Sequence, residues 1–469
     1  MDHCSCNALK WILTPIFLLL SVVVMMFLVH LGGDFSVPVL LNMNNTSLAN
    51  DPGISLHQTH KPSQRSNSSL HNIKQRKRVK MKSRVQRELE KARMVIQEAS
   101  SNGISVNESM WLDAKEHRID IYRNRAAFFR SYEEMEKQFR VYVYEEGEPP
   151  LVHHGPCKDI YTTEGRFISE LEQMQGGLRT RDPRRAHVFF LPFSVTEMVR
   201  FLYQPESYDH QPFQRFVADY VRVIASKHPF WNNTNGTDHF MLSCHDWGPH
   251  ASRGNSQLYE NSIRSLCNAN ISEGFHPYKD VSIPEINLKD GEMPRQLLSP
   301  AFPSRTFLAF FSGGVHGPIR QQLLQHWEGR DLTHMPVYNY LSEGLDYYSF
   351  MLRSHFCLCP SGYEVASPRI VEAIYSECIP VIISQGYVLP FSDVLRWEAF
   401  SISVAVEDIP RLREVLEGFT AEELEKLREG IRTIKQHFVF NNPPKKFDVF
   451  HMILHSVWLR RLNVVTVVA

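Results

Sequence analysis

Several things are missing from this chain of 469 residues, and each absence removes a class of function. There is no net charge: 51 Lys and Arg balance 51 Asp and Glu, so no global field draws the protein to nucleic acid. No glycine-rich run ends in Gly-Lys-Ser/Thr and no GxGxxG occurs, which excludes a Walker loop and the dinucleotide fingerprint. Asp-x-Asp is absent, and with it a manganese-diphosphate clamp of that kind. No Cys-x-x-Cys pair is present to seed a zinc site, and no internal repeat suggests a solenoid.

One stretch lacks charge altogether. Trp11 to Leu31 is rich in Leu, Val, Phe and Met, and at ~1.5 Å per residue it is long enough to cross a ~30 Å hydrocarbon core. Its apolar core is longer than that of a signal peptide and no small-residue cleavage site follows, so residues 11–31 read as an uncleaved signal anchor. Lys10 precedes it and no Lys or Arg follows until Lys61. That asymmetry puts residues 1–10 in the cytosol and the rest in the lumen. Sequons at Asn44, Asn45, Asn67, Asn107, Asn232, Asn235 and Asn270 agree, as do six cysteines after the span: Cys157, Cys244, Cys267, Cys357, Cys359 and Cys378. Their even number suits disulfides but does not choose the pairing. The alternative, a buried free thiol, fits Cys378 best, beside its apolar strand. Cys4 and Cys6 are candidates for palmitoylation.

Residues 32–137 then form a stem, a disordered Asn/Ser/Pro-rich tether followed by a basic helix over 74–99. The globular part begins near Phe139 with FRVYVY. Further strands are expected at Ala186–Phe193 and His239–Cys244, with a helix capped by Ser194, another around Phe213–Ala225 and a loop at FWNNTNGTD. A proline-rich connection between Phe275 and Ser304 separates residues 138–300 from a second series, 301–440. That series holds strands at Thr306–Phe311, His355–Cys359, Cys378–Ser384 and Phe400–Val404. Helices are expected at Ile319–Trp327 and Tyr347–Arg353, from Ser367 as N-cap to about Glu377, at Pro410–Gly418, and from a Thr420/Glu423 capping box to about His437. An amphipathic helix over Phe447–Leu462, within 441–469, packs back on the domains. Strands alternating with helices make an α/β fold with parallel sheets, which bind ligands at the carboxyl ends of their strands.

Three loops at such ends hold the chemistry. FFSGGVHGPIR offers Gly313, Gly314 and a helix start to an anion, with Arg320 a turn later; a plain tight turn is the alternative. After the His355–Cys359 strand comes Ser361-Gly362 with Glu364 beyond, expected to be exposed in the loop, then Arg369 and Glu372 on one helix face. Arg369 is suited to a diphosphate and Glu372 to ribose hydroxyls, against an i,i+3 surface ion pair worth only ~0.5 kcal/mol. In the third, His245, Asp246 and His250 follow a strand, and Asp246 or His245 is placed to act as general base on a hydroxyl. A structural loop is the competing account, and a metal site has too few ligands.

The long run CLCPSGYEVASPRIVEAIYSECIPVIISQGYVLPFSDVLRW resembles the signature of exostosin-type glycosyltransferases, family 47, and Ser-Pro-Arg-Ile-Val-Glu-Ala is similar to the plant branch. AHVFFLPFS, TDHFMLSCHDWG, FFSGG with Arg320, and the anchor with a basic stem resemble it in the same order, over about Phe139 to Leu462. The resemblance implies a GT-B fold of two facing Rossmann-like domains, behind a transmembrane helix and stem. It implies an acceptor-binding domain at 138–300, a sugar-nucleotide domain at 301–440, and an inverting Golgi enzyme building cell-wall or matrix polysaccharide. Gly362, Arg369 and Glu372 fall on its donor motif, and Gly313, Gly314 and Arg320 on the first donor-domain turn. Relatives with a second catalytic domain are longer, so a bifunctional polymerase is not expected.

The expectation is therefore a single-pass type II Golgi membrane protein that moves a hexosyl or pentosyl group from a UDP-sugar to a polysaccharide hydroxyl. Arg369 and backbone donors would stabilise the departing diphosphate without a required metal, a divalent cation being optional. Partners would be the donor, the acceptor, the Golgi membrane and other copies or other glycosyltransferases, but no nucleic acid. A non-catalytic Golgi partner with the same fold is the alternative. A sulfotransferase is disfavoured, since no lysine-bearing phosphate loop is present.

Overall fold

The computed structural model describes residues 83–102, 121–297 and 304–463. The expected cytosolic tail, anchor and tether, with Asn44, Asn45, Asn67 and Asn107, lie outside the described residues. Among the described residues no helix is long and apolar enough to cross a membrane.

Two five-stranded sheets organise the chain, and every pairing is parallel. The first runs β1 (Val141–Val143), β2 (Val188–Phe190), β3 (His239–Ser243), β4 (Ile263–Leu266) and β5 (Val281–Ser282) in simple spatial order. In the second the order is β10 (Ile402–Ser403), β9 (Ile379–Ile383), β8 (Ser354–Pro360), β6 (Phe307–Ser312) and β7 (Val337–Tyr338). β3, β4 and β9 are buried along their whole length, as expected of parallel strands covered by helices on both faces.

β4 escaped the sequence reading for a physical reason. Its second residue is Arg264, a charge that normally argues against a central strand. In the fold Arg264 is buried, its Nε donates to Asp280 Oδ1 at 3.1 Å, and its guanidinium lies 4.4 Å from the centre of the Tyr259 ring. β5 and β7, two residues each, are too short to leave a periodic trace. Three further expectations are corrected. FWNNTNGTD is not wholly loop, since Pro229–Thr234 is a short helix closed by Asn235 in the left-handed region. Ser367 does not cap its helix: Arg369–Tyr375 begins at Pro368 without a side-chain cap, and Ser367 contributes its carbonyl to Ile370 N. The last helix, Val449–Asn463, is buried nearly all round rather than amphipathic. It docks on the first half through Trp458 Nε1 to the Ser131 carbonyl at 3.2 Å and Arg461 Nε to the His187 carbonyl at 2.8 Å.

Locally encoded features appear as read. Ser194 accepts from Glu197 N at the start of Val195–Leu202, and Thr420 and Glu423 form a reciprocal capping box. Among the described residues two disulfides are seen, Cys244–Cys267 and Cys357–Cys378, so Cys378 is paired, and Cys359 is a buried free thiol. The first bond joins the carboxyl ends of β3 and β4, just before the loops that carry Asp246 and Asn268.

The two sheets meet at their carboxyl ends. Segments after β4 and β5 bond to the loop after β9: Val388 N to the Ala269 carbonyl at 3.0 Å, Ile271 N to that of Gly386 at 3.0 Å, and Phe391 N to that of Ser282 at 3.2 Å. The loops after β3, β6 and β8 that the sequence singled out for chemistry all leave carboxyl ends of these strands.

Candidate active site

On the second sheet, β6 ends in the glycine turn and β8 ends in the Ser361-Gly362 loop, and the two loops touch. A Cβ on Gly317, whose φ is +89°, would lie 2.4 Å from the Gly362 carbonyl oxygen; on Gly313 it would lie 2.7 Å from Arg369 Nη2. Glycine at these places allows loops and arginine to approach more closely than any side chain would permit. Arg369 reaches across from its helix, donating Nη2–H to the Ser312 carbonyl at 2.8 Å with its guanidinium 4.7 Å from the Phe311 ring centre. Its Nε–H is buried and has no partner among the described residues. Arg320 reaches the other way, toward the Pro360 carbonyl at 3.4 Å. Burial and then the neighbouring Arg369 charge lower the Arg320 pKa to about 10. Two adjacent, partly buried cations with spare N–H groups beside a glycine turn form a receptor for a multiply charged anion.

The remaining donor-side expectations sort themselves. Glu372 does not pair with Arg369; it accepts from Tyr347 Oη at 3.0 Å and Asn287 Nδ2 at 3.5 Å, so it is a buried acid at the junction. Ser361 is pinned by β9, with its N–H and its hydroxyl both donating to the Ile383 carbonyl. Glu364 is not the exposed loop residue its position suggested. It accepts from Asn268 Nδ2 of the opposite half at 2.8 Å, and the same nitrogen lies 3.0 Å from Glu273. Burial first, then Glu273 as hydrogen-bond partner and like charge, raises the Glu364 pKa to about 8. This favours a protonated Glu364 carboxyl beside Glu273 at neutral pH.

The first sheet supplies acids. Asp246, after β3, is held by a hydrogen bond from Tyr161, and its backbone carbonyl accepts from Asn268 at 3.0 Å. Burial raises its pKa to about 6, with Tyr161 opposing the rise and Glu273 adding to it. A carboxylate in that range is ionised at neutral pH yet more basic than a surface aspartate, which suits a general base. His245 is less suited. Burial and then His210 lower its pKa to about 4, its Nδ1 accepts from Trp247 N at 3.1 Å, and its ring packs 4.8 Å from that of Tyr161. It props the Asp246 loop. His250 stacks with His210 at 4.6 Å. Among the described residues no group of three His, Cys, Asp or Glu side chains could hold a metal ion.

One site residue was missed outright. Glu285, just past β5, is only 4% exposed and belongs to the same junction: burial, Asp246 and Glu372 push its pKa well above the usual carboxylate value, with Arg320 opposing them. A lone acid in the apolar run VSIPEINL was the available signal. Of the sequons described, Asn232 and Asn235 are exposed. Asn270 is buried, its Nδ2 donating to Glu273 at 2.9 Å, so a glycan there could not be housed without opening the junction.

Two parallel α/β halves meet at their strand ends with cations on one side and acids on the other, and comparison with known proteins defines the class as glycosyltransferase. Residues 135–419 match the exostosin GT47 domain. The chain is 57% identical over 382 residues to a "Probable glycosyltransferase" of Arabidopsis thaliana, covering 81% of this chain and 78% of that one. With another Arabidopsis "Probable glycosyltransferase" it shares 49% identity over 432 residues, 92% and 80% of the two chains. A rice (Oryza sativa subsp. japonica) "Probable glucuronosyltransferase" is 31% identical over 328 residues, 64% and 75% of the two. The protein belongs to the exostosin GT47 family.

Proposed function

We propose that this glycosyltransferase is an inverting enzyme of GT-B architecture that moves a hexosyl or pentosyl group from a UDP-sugar to a hydroxyl of a cell-wall or matrix polysaccharide. The observation that carries this is the arrangement of charge in the cleft, with Arg320 and Arg369 side by side at the carboxyl ends of β6 and β8, opposite Asp246 at the end of β3. A diphosphate leaving group gains two negative charges' worth of stabilisation from the arginine pair in a water-poor cleft, the electrostatic task that a metal performs elsewhere. Asp246, ionised at neutral pH, accepts the acceptor hydroxyl's proton as that oxygen attacks the anomeric carbon from the face opposite the diphosphate. The C–O bond to the diphosphate then breaks and the configuration inverts. Tyr161 and Asn268 hold the Asp246 loop in place. The reaction runs without a required metal.

The expected setting is a type II anchor at residues 11–31, with the catalytic part in the Golgi lumen. The test is sugar transfer by the full-length, detergent-solubilised protein, assayed with UDP-linked hexoses, pentoses and glucuronic acid, with and without a chelator. The rice relative's name is the reason to include the uronic acid. Transfer with inversion that survives chelation is the expected outcome; retention of configuration, or abolition by the chelator, refutes the mechanism.

A further inference from the structure

Glu285, like Glu372, is a buried acid at the junction that the reaction above leaves without a role, and it is the less well satisfied of the two. Its Oε2 has no hydrogen-bond partner among the described residues. An unmatched buried polar atom is costly, and native structures seldom keep one without a use. The side chain is not there by accident of a loose loop, because the backbone on either side is fixed. Ile283 N donates to the Leu266 carbonyl at 3.1 Å, Thr163 Oγ1 donates to the Pro284 carbonyl at 2.7 Å, and Asp159 and Leu288 exchange both backbone bonds. Three elements bring charge to it: Asp246 from the loop after β3, Arg320 from the helix Pro318–Trp327, and Glu372 from the helix Arg369–Tyr375. Glu285 therefore lies in the field of Arg320 on one side and of Asp246 on the other.

We propose that Glu285 binds the sugar being transferred, its unmatched oxygen engaging a hydroxyl of the donor's sugar ring and so helping to select which sugar is accepted. This rests on reading the cleft as a sugar-nucleotide site. A diphosphate anchored at Arg320 and Arg369 carries its sugar toward the first sheet, while the acceptor hydroxyl must approach Asp246. A side chain in electrostatic reach of both faces the ring between them. Burial and the neighbouring acids favour the protonated carboxyl, which offers an O–H donor as well as an acceptor. A glutamine amide can replace that pair and an alanine cannot.

The test titrates UDP and a panel of UDP-sugars into the full-length protein and its E285Q and E285A variants. UDP affinity should stay within about twofold in both variants, while the preference for the cognate UDP-sugar over UDP falls about tenfold in E285A and survives in E285Q. A deoxy donor lacking the contacted hydroxyl should bind about tenfold more weakly to wild type but no more weakly to E285A. Equal losses of UDP and UDP-sugar binding in E285A, or deoxy penalties that are the same in wild type and E285A at every ring position, overturn the proposal. Failure of the wild-type protein to bind UDP would instead remove the reading beneath it, and the UDP titration tells the two failures apart.

Discussion

The carboxyl ends of the two sheets use opposite chemistry within one architecture. After β6 and β8, two arginines lean across glycine turns onto each other's strand ends, and the partly buried Arg320 loses basicity to burial and to Arg369. After β3, β4 and β5, the side chains that reach the junction are acids, with the Asp246 pKa raised to about 6 and that of Glu285 pushed well above the usual carboxylate value by burial and Asp246. Each wall alone is poorly solvated charge of one sign. In the proposed reaction one wall binds the dianionic leaving group and the other receives a proton, so that reaction needs the junction rather than either sheet.

The sharpest way to break this comparison is to silence one wall at a time. Asp246→Asn should reduce transfer by about a thousandfold while leaving UDP binding intact, as steady-state kinetics beside a UDP titration will report. The pH profile carries the same assignment. The base works only when ionised, and its pKa is raised to about 6, so kcat/KM should climb as pH rises through about 6 and then level off. Arg369→Ala should lower both UDP affinity and transfer, by about a hundredfold in rate, and Arg369→Lys should rescue little because one ammonium cannot keep the Ser312 bond and serve the diphosphate as well. Full activity in Arg369→Ala would sink the donor-side assignment.

Smaller effects sharpen the contrast. Gly317→Ala places a Cβ against the Gly362 carbonyl at a φ of +89°, and should cost about 1–3 kcal/mol in a denaturant melt. It should weaken UDP binding while leaving the Asp246 pH limb in place. The weakest expected change concerns the contact between walls. Glu364 has a folded pKa raised to about 8, so its contribution to stability is present below its unfolded value and is lost as pH rises through about 8. Thermal melts should decline from pH 6 to pH 9 in the wild type and less steeply in Glu364→Gln. An equal decline in both would show that the protonated Glu364 carboxyl does not hold the halves together.

How far the site could be read in advance follows the range of the interactions. Ser194 and the Thr420/Glu423 box were legible because a cap is made within three residues, and β3, β8 and β9 because an apolar run bounded by turns needs no partner to be recognised. Arg369 was legible as a candidate, but not the 57-residue reach to Ser312 that explains why Gly313 has no side chain. β4 was hidden by Arg264, whose charge is acceptable only once Asp280 and Tyr259 surround it. Glu364 looked exposed because its partners, Asn268 and Glu273, come from the other half of the chain.

The sequence by itself determined the alternation of strands and helices, the parallel sheets, the loops that carry chemistry and the family to which the chain belongs, because these depend on periodicity, capping and short motifs. Only the tertiary structure decided which acids meet at the junction, how Cys244, Cys267, Cys357 and Cys378 pair, that His245 is buried against Tyr161, and that Glu285 lies buried in the field of Asp246 and Arg320. Those are statements about desolvation and proximity between residues far apart in the chain, and neither quantity exists until the two sheets meet.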